Sequence, residues 1–171
     1  MRPPRIRHFR KKKTKIEHPK KDKKKRSKQN WNRISEHFSI KDFQDKASSD
    51  KQKFKISLGL IGGLELLRSQ AKNKVIILKG FQSEDLSNKT QKDYHALGLA
   101  ADIKIENLSA KETFLLAEKI PEFKGIGLNL SEDYVHVDLR KEAEQQCWIE
   151  EKNNIIPFTE ELRKKHLANI D

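Results

Sequence analysis

His95-Ala96-Leu97-Gly98-Leu99-Ala100-Ala101-Asp102, answered further on by Asp133-Tyr134-Val135-His136-Val137-Asp138, are the segments around which this chain is organised. Residues 99–105 read as a strand, because apolar and polar side chains alternate along them. Leu99, Ala101, Ile103 and Ile105 share one face, and Ala100, Asp102 and Lys104 share the other. Residues 134–140 read the same way, with Val135, Val137 and Leu139 opposite Tyr134, His136, Asp138 and Arg140. Gly98 lets the chain turn tightly between His95 and the strand that carries Asp102. Two imidazoles and one carboxylate then stand on polar strand faces or in the turn ahead of them. A catalytic zinc takes three such protein ligands and keeps a fourth position for water. His95, Asp102 and His136 are therefore the candidate metal ligands, with zinc (Zn2+) the expected ion.

The pattern H-x-x-G-x-A-x-D followed by Y-V-H-V-D resembles the zinc D-alanyl-D-alanine peptidases of bacterial cell walls. That group includes D,D-carboxypeptidases, D-Ala-D-Ala dipeptidases, phage L-alanyl-D-glutamate endolysins and Hedgehog-like domains. Ile34-Ser35-Glu36-His37-Phe38-Ser39-Ile40 is similar to the entry segment of one carboxypeptidase-like branch. A V-I-I-L-K-G-F strand and Trp148 follow in the expected order, so the resemblance spans roughly residues 34–150. It implies a compact α+β domain, a mostly antiparallel sheet packed by helices, and zinc-dependent cleavage of peptidoglycan stem peptides.

The resemblance also implies roles for further residues. Related endolysins and dipeptidases place an acid three residues before the last histidine ligand, which makes Asp133 the first candidate for general base. Asp138 is the second, since it shares a strand face with His136 and is suited either to orient that ligand or to accept a proton. An arginine that binds substrate usually follows the glycine–aromatic pair, and here that position is Gln82, which donates a hydrogen bond without charge or fork. Lys79 or Arg140 is placed to compensate. Asp93 stands where the family often has a serine. The rival function is a cell-wall or anionic-polymer binding module that keeps the fold and draws its affinity from the basic N-terminus. The uncharged Gln82 favours that rival.

The charge is unevenly distributed. The chain of 171 residues carries 37 Lys and Arg against 25 acids, for a formal charge of +12. Residues 1–33 hold 16 of the bases and 2 of the acids, so the remainder is close to neutral. Apolar residues are too sparse in this tail to offset an ordering cost of about 1–2 kcal/mol per residue, and disorder is expected. Such an arm is either a solvated appendage or a tether to an anionic polymer or surface. Nucleic-acid binding would rest on this charge alone. Three segments follow: a basic tail over 1–33, a peptidase-like domain over 34–150, and a C-terminal helical extension over 151–171.

The remaining residues place the framework. Phe54, Leu58, Ile61, Leu64 and Leu67 recur at helical spacing and predict a helix over 52–72. Val75-Ile76-Ile77-Leu78 suits a buried strand, and residues 83–94 read as a polar loop. Ser109 and Glu112 form a capping-box pattern ahead of a helix through Ile120. Residues 123–130 predict a strand joined to the His136 strand as a hairpin. The stretch 150–154 reads as polar connection, and 157–170 as a C-terminal helix. Cys147 is expected to be a packing residue, because no base stands beside it. His37 is expected in a surface or packing role. The longest apolar run, Leu58 to Leu67, is broken by Glu65 and is too short to span a membrane. No apolar signal segment follows the positive N-terminus, whereas a wall substrate implies the cell envelope or periplasm. Phage-type release or an unusual export route would reconcile the two.

Overall fold

A computed structural model describes residues 32–44, 54–82, 93–151 and 154–168. Residues 1–31, which hold nearly all of the basic tail, and the stretch 83–92, read above as loop, lie outside the described residues. Among the described residues four helices and six strands succeed one another: α1 (Ile40–Phe43), α2 (Leu58–Ala71), β1 (Val75–Lys79), β2 (Ala100–Ile105), α3 (Ala110–Ala117), β3 (Gly125–Asn129), β4 (Tyr134–Asp138), β5 (Gln146–Glu151), β6 (Asn154–Pro157) and α4 (Glu160–Leu167). The strands form one sheet in the order β1-β2-β4-β3-β5-β6, antiparallel throughout except where β5 runs parallel to β3. This is the expected α+β class.

The strand alternation read from the sequence sorts the two faces. Ala101, Ile103, Ile105, Ile126, Leu128, Val135, Val137 and Ile149 are buried on the core face. Leu60, Leu64 and Leu67 of α2, Phe114 and Ala117 of α3, and Phe43 and Phe123 from the flanking segments complete that core. Burying one leucine side chain contributes roughly 1.5–3 kcal/mol, so this layer holds the sheet while the opposite face is left for polar residues.

Local signals fixed several element ends. The Ser109 N–H donates to Glu112 Oε2 at 2.7 Å and the Glu112 N–H to Ser109 Oγ at 3.3 Å, so the predicted capping box starts α3. The predicted hairpin joins β3 to β4, with the Asn129 side chain accepting the Glu132 N–H in the turn. Gly63 faces Phe123, and a Cβ there would lie 2.6 Å from the ring.

Three boundaries differ from the sequence reading. Helix α2 starts at Leu58 rather than near residue 52, because Ser57 caps it and the Ser57 N–H is tied to the Gly98 carbonyl at 2.8 Å. Phe54 therefore packs from an extended segment, edge-on to Phe81, while Leu58 is 77% exposed and Leu60 takes the buried position. The stretch after Trp148 is strand, since β5 and β6 continue the sheet to Pro157. Its apolar alternation is weak because β6 is an exposed edge. The last helix begins at Glu160, capped by Thr159, and Phe158 ahead of it is buried against Phe114.

Candidate metal centre

Register builds the centre. Asp102 on β2 and His136 on β4 are direct cross-strand partners, so their side chains project together from the non-core face. His95 arrives from the turn ahead of β2. The Asp93 carboxylate accepts the His95 N–H at 2.9 Å, and Gly98 closes the turn with φ of +70°. A side chain at Gly98 would also strike the Lys55 carbonyl at 2.5 Å. The expected trio converges. His136 Nδ1 lies 2.8 Å and His95 Nε2 3.3 Å from Asp102 Oδ1, and one ligand atom from each residue falls within 4.8 Å of the others. His95 and Asp102 are buried and His136 is partly buried.

Each imidazole is held by its other nitrogen. His95 Nδ1 is 2.8 Å from the Gly80 carbonyl, which can only accept, so Nδ1 carries the proton and Nε2 presents its lone pair to the cluster. His136 Nε2 is 3.3 Å from Asp138 Oδ2, and Asp138 is fully buried beneath Arg140. Arg140 donates from Nε at 2.9 Å to Oδ1 and from Nη2 at 2.6 Å to Oδ2 of Asp138. A chain of alternating charge thus runs from Arg140 through Asp138 to His136.

The electrostatics favour a cation between the ligands. Burial disfavours charge on His136, but hydrogen bonds to Asp102 and Asp138 outweigh it and push the imidazole up to about 9. Burial would also raise Asp102, yet hydrogen bonds from His136 and His95 hold it well below the usual carboxylate range. Asp138, with burial opposed by His136 and Arg140, is drawn down to about 2. The pocket therefore stabilises positive charge beside two carboxylates, and a divalent ion meets that demand. The donor set, two imidazoles with anchored second nitrogens and one carboxylate, fits zinc.

The other predicted residues are spread around this centre. The Asp133 carboxylate accepts the Ala110 N–H at 2.9 Å and stands 3.8 Å from Lys104 Nζ, in a turn where its own φ is +54°. The carboxylates in hydrogen-bond contact with His136, among the described residues, are Asp102 and Asp138. Arg140 also donates from Nη1 to Gln146 Oε1 at 2.7 Å and is stacked between Tyr94 and Trp148, its guanidinium carbon 5.4 and 4.6 Å from their ring centres. Gln82 is half-buried just past β1. His37 bonds Glu65 Oε2 at 2.6 Å, away from the trio. The Cys147 thiol is pushed up to about 12 by burial and by Glu118 beside it, so it packs rather than reacts.

The sequence reading missed Trp148 and Glu150 as parts of this face. One row crosses the sheet through Asp102, His136, Gly127 and Trp148, and the next contains Tyr134, Asn129 and Glu150. Reading Gln146 to Glu150 as a strand would have placed Trp148 and Glu150 together.

A sheet with helices on one face and a His–Asp–His cluster on the other is the arrangement of a candidate metallohydrolase. The family described as Peptidase M15, that of the zinc D-Ala-D-Ala carboxypeptidases, matches residues 36–138, more than half of the chain, and the protein belongs to it. No curated protein and no solved structure matches. The matched residues contain the whole candidate trio.

Proposed function

We propose that this protein is a zinc-dependent peptidase that cleaves peptidoglycan stem peptides, with D,D-carboxypeptidase-like or endopeptidase action. The observation that carries this reading is the meeting of His95, Asp102 and His136 at one point, each imidazole anchored by its far nitrogen. Zinc held by these residues supplies a Lewis acid that polarises a carbonyl and lowers the pKa of water to about 7. Asp133, exposed at the turn three residues before His136, serves as proton acceptor and passes the proton to the leaving amine. Asp138 is clamped by Arg140 and orients His136, since a carboxylate drawn down to about 2 is a weak base at neutral pH. Gln82 donates to the substrate, and Arg140 walls the site through its stack on Trp148. The basic N-terminal segment tethers the enzyme to an anionic polymer of the cell envelope.

The tie of Asp133 to the Ala110 amide and Lys104 favours a second reading, a wall-binding module with weakened catalysis. Metal analysis and a muropeptide digest separate the two. The purified protein is expected to hold zinc, to lose it in His95→Ala and His136→Ala, and to release peptide fragments that a chelator abolishes. Asp133→Ala should keep zinc and lose cleavage. Zinc binding with unchanged muropeptides would favour the binding module, and absence of zinc would overturn the peptidase reading.

A further inference from the structure

The segment ahead of α2 reaches the metal face through one peptide bond. Residues 32–44 fold as a compact strap. The Ile40 N–H donates to the Asn32 carbonyl at 2.7 Å, the Ile34 N–H to the Phe38 carbonyl at 2.9 Å, and Arg33 Nε to the Ser35 carbonyl at 2.9 Å. One side of the strap is clasped to α2. Glu65 Oε1 accepts the Ser35 hydroxyl at 2.5 Å and the His37 N–H at 2.9 Å, and Oε2 lies 2.6 Å from His37 Nδ1. Burial would raise the Glu65 carboxyl, but the hydrogen bonds from Ser35 and His37 outweigh it and hold it below its ordinary value. This clasp accounts for an acid in the otherwise apolar run from Leu58 to Leu67. The other side is seated in the core, where Phe38 and Phe43 are buried with ring centres 5.8 Å apart.

Phe43 then meets the chain just past β1. The register shifts between Ile77 and Lys79, and Lys79 is the last residue of β1 paired with β2. The Gly80–Phe81 peptide beyond it makes two hydrogen bonds of opposite sense. Its N–H donates to the Phe43 carbonyl at 2.8 Å, and its C=O accepts from His95 Nδ1 at 2.8 Å. A peptide unit is planar, so fixing its N–H also fixes the direction of its C=O. A bonded N–H also polarises the carbonyl of the same unit and strengthens it as an acceptor. Only glycine lets the strap come this close: a Cβ on Gly80 would lie 2.5 Å from Phe43 Cα and 2.6 Å from the Phe43 carbonyl oxygen. The strap therefore sets where the Gly80 carbonyl points. That carbonyl in turn sets which nitrogen of His95 faces Asp102.

We propose that the strap of residues 32–44 is a positioning element for the His95 imidazole, acting through the Gly80–Phe81 peptide and held in place by the Glu65 clasp. Glu65, on the helix side of the strap, is thus a positioning residue. The proposal rests on the peptidase reading only for the ligand role of His95, and the orientation of the ring stands apart from it.

The test uses the full chain and two arms. In the first, zinc affinity is measured by competition with a chromophoric chelator. In the second, exchange of the His95 Nδ1 proton with water is followed by NMR on histidine-labelled protein. Gly80→Ala drives the strap off the peptide and should weaken zinc binding about tenfold or more, as loss of the partner of a ligating imidazole does. Glu65→Ala releases the strap from α2 and acts one step removed, so a loss of about fivefold is expected. Both should speed exchange of the Nδ1 proton. Glu65→Gln keeps an acceptor for Ser35 and the His37 N–H and should recover most of the affinity. Phe158→Ala, which opens the core against Phe114, controls for lost stability: it should lower the urea midpoint and leave zinc affinity and proton exchange unchanged. Affinity within about twofold of the wild type in Glu65→Ala, or an equal loss in Phe158→Ala, would overturn the positioning role. If the wild type binds no zinc, the peptidase reading fails and the proton-exchange arm still decides the strap. Should Gly80→Ala fold poorly, Glu65→Ala decides it alone.

Discussion

Asp138→Asn is the most informative single change, because one buried oxygen pair serves both the fold and the candidate ligand His136. Asp138 is fully buried and takes two side-chain donors and one backbone donor from Arg140, with His136 on its other flank. Its fall from 3.8 to about 2 corresponds to roughly 2 kcal/mol of preference for the charged form. Substitution also strands the Arg140 guanidinium, and breaking a buried ion pair by removing one partner costs about 3–5 kcal/mol. The expected loss of folding free energy is therefore about 2–5 kcal/mol, read as a lower urea midpoint at constant slope. The same change weakens the hold on His136, and loss of such an outer partner typically lowers metal affinity about 10–100-fold. Zinc competition against a chromophoric chelator measures that directly. A variant that folds as the wild type does and binds zinc within about threefold would refute the charge chain from Arg140 to the metal face. The sign of the pH dependence is fixed as well. A carboxylate with a lowered folded-state pKa stabilises fully above 3.8, and its share is lost as pH falls toward about 2.

Two further outcomes test the framework. With its thiol pushed up to about 12, Cys147 should react with a thiol reagent at pH 8 far more slowly in the folded protein than in urea; equal rates would refute its burial against Glu118. The raised pKa also means that this group's contribution to stability is full below about 9 and declines as pH climbs toward 12. Leu64→Ala empties a fully buried position between α2 and the sheet and should cost about 2–5 kcal/mol in urea unfolding, whereas Leu58→Ala, on the same helix but exposed, should cost under about 0.5 kcal/mol.

The convergence of His95, Asp102 and His136 was legible because two kinds of pattern agreed. Strand alternation placed Asp102 and His136 on polar faces, and the glycine after His95 accounted for the turn. What alternation could not supply was which strands pair. The register Asp102 to His136 depends on β3 lying outside β4, a long-range choice made by the core face and the hairpin turn. The start of α2 escaped for a different reason. Phe54 and Leu58 continue the helical spacing of Ile61 and Leu64, but the Ser57 cap and its bond to Gly98 end the helix first. The β5–β6 hairpin was hidden by chemistry, since an edge strand with four exposed residues has no apolar face to reveal it.

That hidden hairpin completes the face on which the site stands. Without β5 the Gly125 and Gly127 positions of β3 would be an open edge, and neither Trp148 nor Gln146 would reach Arg140. With β5 in parallel register, Gln146 holds the outer guanidinium nitrogen and Trp148 covers its plane, so Arg140 is locked over Asp138. Locking Arg140 keeps Asp138 ionised, and an ionised Asp138 fixes the ring of His136. Residues well beyond His136 in the chain thus govern the charge around it through packing. A Trp148→Ala variant should accordingly weaken zinc binding even though the indole is no ligand, while Ile155→Ala on β6, exposed and remote from that chain of contacts, should leave it unchanged.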